Sequence, residues 1–389
     1  MALGCNIGIK KMGRISKGIS VETLENTFTW YFTLENLNNI NALIISVINQ
    51  LFLSRLYLTK EGEIHTSSDG QKFGVKPESL NSNYSFKYFG KERGLTIYTF
   101  IDQRGSIFST IVMSPASREA TEVLDGLFSN EVVSTMHSTD THGYTEVIFG
   151  MMDLLNINFA PRIKNIGKQT LYSFKNRKSY EKTNYKILPN NYIKADLIEE
   201  YWDDILRIMV SIKLQKCKAS QILKRLNSYS KQNPLHKALK EYGRIHKSLF
   251  ILNYYDNLEL RQAIEKQLNL IELAHKFAKF IFFDNNQEFD EPTKEGQEII
   301  AGCKQLIQNC IILWNYMKLT QIYYNSESAE ERKKILSAFI LSSIIFWSHI
   351  NLNGEYDFNK DWTSGENLNL EKLKRVKIQD FKYQPLKEP

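Results

Sequence analysis

His65-Thr-Ser-Ser-Asp-Gly-Gln-Lys-Phe-Gly-Val75 decides the fold. Its β-rich texture predicts a strand, and it places an acid, Asp69, beside a glycine and among small hydroxyl residues, where backbone can approach a ligand closely. Taken alone, Asp69-Gly is also the strongest short hairpin-turn signal. The residues C-terminal to it predict a meander: strands at Gly94 to Ile101 and Ser106 to Met113, joined by the turn Asp102-Gln-Arg-Gly105.

Downstream the period changes. Ser117-Arg-Glu-Ala resembles a helix start, with apolar Val123, Leu124, Leu127 and Phe128 behind it. A strand comes next at Val132 to Ser138, then a helix at Tyr144 to Leu155 and a further strand at Ile157 to Ile163. The order is β-β-β-α-β-α-β. Right-handed crossovers then make the later strands parallel to the first, and the first and fourth neighbours about 4.8 Å apart. This is a ribonuclease H-like α/β arrangement with a mixed sheet.

The segment His137-Ser-Thr-Asp-Thr-His-Gly-Tyr-Thr-Glu puts a second acid, Asp140, where a strand ends and a helix begins, the customary ligand position in open sheets. Capping the next helix is the competing use for that Asp. Together, Asp69 and Asp140 on neighbouring strands repel at about 5 Å by roughly 3 kcal/mol at an effective dielectric of 20, a cost that a divalent cation removes. Oxygen-only ligands favour Mg2+, with Mn2+ as a substitute, and two such ions serve phosphoryl transfer.

Helices flank this core. Leu37, Ile40, Leu43, Ile44 and Val47 predict a helical opening, and from Lys194 onward the pattern is helical almost throughout. The helix Leu258 to Phe282 carries the polar stripe Glu265, Asn269, Glu272, Lys276 and Lys279 opposite an apolar side, so Glu272 is a candidate third carboxylate. A solvated helix face is the ordinary use of such a stripe. His65, His137 and His142 match no zinc-ligand spacing and are expected to line the site or touch phosphates.

The totals set bounds. A chain of 389 residues has room for two or three units, and 42% hydrophobic with 24% charged residues is ordinary for a globular protein. Net charge is +7, concentrated in two stretches. Arg162 to Leu188 has eight Lys or Arg against the single acid Glu181, and Lys213 to Lys240 has eight against none. The first interleaves Lys175, Arg177, Lys178, Lys182 and Lys186 with Tyr172, Phe174, Tyr180 and Tyr185, a mixture suited to DNA backbone and unstacked bases; a solvated basic surface is the alternative. Cys5, Cys217, Cys303 and Cys310 show no paired framework and are expected as free core thiols in a reducing compartment. There is no phosphate loop, nucleophile elbow, dinucleotide fingerprint, signal peptide or span of membrane length. The expected location is the bacterial cytoplasm, at the nucleoid when bound to DNA.

The chain resembles the C-terminal catalytic region of the Tn-three family of replicative transposases. The resemblance is carried by Ser67-Ser-Asp-Gly-Gln-Lys-Phe, Ser138-Thr-Asp-Thr-His-Gly-Tyr-Thr-Glu, Phe159-Ala-Pro-Arg-Ile, Tyr201-Trp-Asp-Asp-Ile-Leu-Arg, Leu239-Lys-Glu-Tyr-Gly-Arg-Ile and His349-Ile-Asn-Leu-Asn-Gly-Glu-Tyr, in family order from about residue 15 to 358. It implies an Asp-Asp-Glu triad of Asp69, Asp140 and Glu272 as catalytic and metal-binding residues, holding two Mg2+ for 3′ end nicking and strand transfer. Leu270 and Ile271 replace the basic residue and glycine that precede the family's Glu. The implied partners are transposon ends and target DNA, contacted by Lys72, His142, Lys175, Arg177, Lys178, Lys182 and Lys276, with a homodimer in the synaptic complex. The alternative is a truncated, silent remnant that only binds DNA or an intact transposase, because the family's repeat-recognising N-terminal portion does not precede Met1; a third is a stand-alone nuclease of the same fold.

The expected layout is a helical lead-in at 1–60, a core with both Asp at 61–165, a helical basic insertion at 166–257, the Glu helix and C-terminal helices at 258–350, and an irregular tail at 351–389.

Overall fold

The computed structural model describes residues 1–58, 62–128, 132–141, 143–228, 233–352, 354–359 and 369–377. After a short helix at Ile9–Ile15 come two longer ones, α1 (Val21–Tyr31) and α2 (Leu34–Gln50), each started by a hydroxyl cap: Ser20 accepts from the Thr23 amide and Thr33 from that of Asn36. Five strands come next: β1 (His65–Gly74), β2 (Arg93–Asp102), β3 (Ile107–Met113), β4 (Met136–Thr139) and β5 (Asn158–Phe159). They lie side by side in the order β3, β2, β1, β4, β5, and a two-residue strand, Asn83–Tyr84, also pairs with β2. Strands β2 and β3 are antiparallel, while β1 with β4 and β4 with β5 are parallel. The result is a mixed α/β sheet compatible with a ribonuclease H-like fold.

Asp69-Gly is therefore no hairpin turn, because β1 runs straight through it to Gly74. The hairpin lies at Asp102-Gln-Arg-Gly105. There the buried Asp102 carboxylate accepts from the amides of Arg104 and Ser106 and from the Arg104 side chain, and Gly105 supplies a φ of 82°.

By contact density the chain divides into two units, one of residues 1–63, 70–117 and 270–389, the other of 64–69 and 118–269. The strand β1 and the helix α8 (Leu258–Ile281) each contribute to both.

In the first unit, Phe73, Val75, Leu95, Ile97, Val112, Phe282 and Phe289 form one core cluster. The long helix α9 (Lys294–Asn325) covers the edge of β3 with amide side chains. Gln305 and Asn309 both donate to the Ile107 carbonyl, and the Ile107 amide donates to Asn309. Edge groups that would otherwise invite another strand are thus satisfied internally. The helix α10 (Ala329–Leu341) comes after it, and the tail is not wholly irregular. Tyr356–Asp357 pairs in parallel with Ser16–Lys17, and Leu370–Lys374 is a short helix capped by Asn369. Cys5 and Cys303 are buried as expected, but Cys310 is exposed.

In the second unit, a 3-10 turn at Glu119–Thr121 precedes the helix α3 (Val123–Leu127). The helix α4 (Glu146–Leu154) joins β4 to β5, and α5 (Trp202–Lys213), α6 (Ala219–Ser228) and α7 (Pro234–Asp256) form the helical part of the insertion. Its first part is not helical. Tyr172–Ser173 and Asn191–Tyr192 form a two-stranded parallel ribbon, and the Lys- and Asn-rich segment between them has one 3-10 turn, Arg177–Ser179, among turns and bends. Phe174, Tyr185 and Ile187 in that stretch are exposed while Leu171 and Ile193 at its ends are buried, so it presents no buried stripe of the kind a helix needs. The helices α4 and α7 cross at Gly150 and Gly243, where a Cβ on Gly243 would sit 1.6 Å from the Glu146 carbonyl oxygen.

Candidate metal centre

Strands β1 and β4 pair in register His65 to Met136, Thr66 to His137, Ser67 to Ser138 and Ser68 to Thr139. Asp69 and Asp140 each stand one residue past the last pair, so the matched heights of the two strands bring both acids to the same end. The strand β5 supports this end through alternate amides. Asn158 donates to Thr135, Ala160 to His137 and Arg162 to Thr139, while Pro161 falls on the alternate position that donates nothing. The ladder thus continues through Phe159-Ala-Pro-Arg-Ile to the residue before Asp140.

Beneath the acids the strands are joined by buried polar side chains. His137 shares hydrogen bonds with Thr66 at Nδ1 (2.8 Å) and Ser68 at Nε2 (2.9 Å), and His65 with Ser138 (2.8 Å). Ser138 donates to the Ala160 carbonyl (2.7 Å). Burial lowers the pKa of His65 from the ordinary 6.5 to about 4; burial, with His65 alongside, takes His137 to about 3. Both rings are therefore neutral, each with one donor and one acceptor nitrogen, which suits hydroxyl partners. The expectation that His65 and His137 line the site or touch phosphates is corrected: at 4% and 0% exposure they fasten β1 to β4. His142 lies outside the described residues.

The carboxylate oxygens of Asp69, Asp140 and Glu119 lie within 4.8 Å of one another, each residue half-buried. Glu119 was not foreseen as a site residue. Its only trace in the sequence was the helix start at Ser117-Arg-Glu-Ala, after β3, and nothing in that spacing says which side of the sheet the turn faces. Asp140 does not cap α4, because Thr145 does so, accepting from the Ile148 amide at 3.3 Å. Like charges this close repel by roughly 3 kcal/mol per pair at an effective dielectric of about 20. An oxygen-only set of three carboxylates with this spacing fits a divalent hard cation such as Mg2+ or Mn2+.

Glu272, the expected third ligand, is exposed on α8 in the first unit and is not in this group. The apolar side of its helix is as predicted, with Leu268, Ile271, Ala274, Ala278 and Ile281 all buried. The helix is tied to β1 within each unit separately. Ser67 donates to the Gln267 carbonyl (3.2 Å) in one, and Gln71 to the His275 carbonyl (2.8 Å) in the other.

Of the expected DNA contacts, Lys175, Arg177, Lys178 and Lys182 are exposed in the segment between the ribbon strands, and Lys276 is exposed on α8. The Lys72 ammonium lies 4.4 Å from the Tyr88 ring centroid. Among the described residues no helix is long and apolar enough to cross a membrane.

A mixed sheet that sets two acids at one end of adjacent parallel strands, with a third acid beside them, is compatible with the ribonuclease H-like DDE class of polynucleotidyl transferases. The chain belongs to the Tn3 transposase DDE domain family, whose model matches residues 1–356. It is 34% identical over 93% of its length to the transposase for transposon Tn1546 of Enterococcus faecium, and 31% identical over 99% to that for Tn501 of Pseudomonas aeruginosa. To the transposase for transposon gamma-delta of Escherichia coli it is 31% identical over 95%. It spans 36 to 37% of the length of these relatives.

Proposed function

We propose that this chain is the DNA-cutting and DNA-joining part of a transposase, on a ribonuclease H-like core. The observation that carries the reading is the three-carboxylate group of Asp69, Glu119 and Asp140 at the end of the β1–β4 pair. Asp69 and Asp140, with Glu119 or Glu272 completing the set, would hold two Mg2+ ions, for which Mn2+ can stand in. When bound, such ions activate the attacking oxygen and steady the leaving one in an in-line displacement at phosphorus. The protein's own part is to keep the acids at one height. The β1–β4 register and its neutral histidine clasp do so without placing any other charge among the ladder residues.

Two displacements make up the reaction: water opens the transposon 3′ end, and the freed 3′ hydroxyl attacks target DNA. Lys72, Lys175, Arg177, Lys178, Lys182 and Lys276 are proposed to meet DNA phosphates, and two copies of the chain to act on two ends. The working location is the cytoplasm, at the nucleoid.

The test is Mg2+-dependent nicking of DNA carrying transposon ends. Asp69→Asn is expected to abolish it. Undiminished nicking by that variant would sink the assignment, and salt-dependent DNA binding with no nicking by the unsubstituted chain, even in Mn2+ and with repeat-binding domains supplied, would favour a silent binding role.

A further inference from the structure

A second feature of the same unit is a cleft of about 510 Å³ between the Tyr172/Asn191–Tyr192 ribbon and the first three turns of α7. One wall is the α7 face bearing Lys237, Lys240 and Arg244, spaced three and four residues apart and so aligned along one side of the helix. Lys194 closes the other side. Among the described residues the one acid lining it, Glu241, is already engaged: it accepts from the Arg244 guanidinium and, at 3.4 Å, from the Lys194 amide. Lys194, Lys237 and Lys240 make no ion pair among the described residues, so the cleft carries unspent positive charge.

The cleft also offers aromatic faces of unequal availability. The Arg244 guanidinium covers the Tyr172 ring at 4.5 Å, whereas Tyr192 is 55% exposed. Burial and the nearby Lys240 lower the pKa of His236, which adds no positive charge at neutral pH. A volume in this range suits a small molecule or one nucleotide and is far below that of a duplex. Cations flanking an available tyrosine are the combination that holds an unpaired strand, phosphates on lysine and base on ring.

We propose that this cleft holds an unpaired nucleotide of a DNA strand, its base stacked on Tyr192 and its flanking phosphates on Lys194, Lys237 and Lys240. The inference rests on the reading of the chain as a DNA-processing protein and adds to it a site for single-stranded DNA apart from the carboxylates. In such a protein an unpaired strand is expected beside a cut end.

The test is fluorescence anisotropy of a labelled oligodeoxythymidine, an abasic strand of equal length and a duplex, titrated with the full 389-residue chain in EDTA over a range of salt. Lys237→Gln/Lys240→Gln is expected to lower the slope of log affinity against log salt for the single strand by about 1.4, two phosphates at about 0.7 each. Tyr192→Ala is expected to weaken oligodeoxythymidine about tenfold, with Tyr192→Phe near the parent and the abasic strand unaffected. Unchanged binding in both the lysine and alanine variants overturns the inference, as does a loss in Tyr192→Ala that is equal for the abasic strand or the duplex. Displacement of the oligonucleotide by thymidine monophosphate at equal phosphate concentration also overturns it, assigning the cleft to a free nucleotide. Nicking by the unsubstituted chain is read alongside. Nicking with unaltered oligonucleotide binding in the variants sinks the cleft alone, and the expected binding changes without nicking sink the catalytic reading alone.

Discussion

Asp69 and Asp140 stand one residue beyond Ser68 and Thr139, the last register pair of two parallel strands, and their carboxylate oxygens lie within 4.8 Å of each other. Two acids that share one cation site act as a unit, so their substitutions are not additive. Asp69→Asn, Asp140→Asn and the double variant are each expected to lose Mg2+-dependent nicking to the same level. A double variant markedly worse than either single one, in a quantitative gel assay, would show that the acids serve separate steps.

Glu119 and Glu272 compete for the third place. Glu119→Gln is expected to weaken Mn2+ binding at least about tenfold, roughly 1.4 kcal/mol, in isothermal titration, because its carboxylate already faces the other two. Glu272→Gln is expected to leave the first Mn2+ event intact while removing nicking. The reverse pattern would give Glu272 the ligand role and leave Glu119 outside it.

Acid should loosen the clasp between β1 and β4. The folded pKa values of His65 and His137, about 4 and about 3, lie below the ordinary 6.5, so the unfolded chain takes up protons that the folded one refuses. Stability is then full above pH 6.5 and falls as pH drops toward those values, by on the order of 3 kcal/mol for each ring. Thermal melts from pH 7 to pH 4 should show the decline, and His137→Gln should flatten it. An equally steep decline in that variant would place the titrating groups elsewhere.

Lys304 should destabilise the first unit at neutral pH. It is 2% exposed on α9, with its ammonium 4.4 Å from the Phe73 ring centroid, and burial lowers its pKa from 10.5 to about 7. Between those values the unfolded chain holds the extra proton, so stability rises with pH across that window. Lys304→Met is expected to raise stability at pH 7 by on the order of 1–4 kcal/mol and to remove the rise. A lower melting temperature for the variant at pH 7 would show that the ammonium is needed in place.

Gly243 should tolerate no side chain. Gly243→Ala puts a methyl group against the Glu146 carbonyl at the α4–α7 crossing, and about 1–3 kcal/mol of stability is expected to be lost in urea unfolding. An unchanged midpoint would mean that the crossing relaxes freely.

Much of the fold is legible in the chain's own periodicity. The β-rich runs around Asp69 and at Gly94 to Met113, and the helical stripe of α8, are local patterns, so β1, β2, β3 and α8 fall where those patterns put them. The pairing of Asp69 with Asp140 is legible too, because strand order and parallel register are set by handed connections. The strand expected at Val132 is shortened to Met136–Thr139, and the first part of the insertion is a ribbon. At those places the local pattern is weak and tertiary neighbours decide.

What the amino-acid sequence determined by itself was the order of elements, the family motifs and the two strand-borne acids, all set by interactions a few residues long. Tertiary structure alone decided that Glu119 joins those acids, that His65 and His137 are buried clasps and not phosphate contacts, and that Tyr192 shares a cleft with Lys237 and Lys240. These are proximities between residues tens of positions apart. They depend on which way a turn or ribbon folds back, and the periodicity of a chain carries no record of that direction.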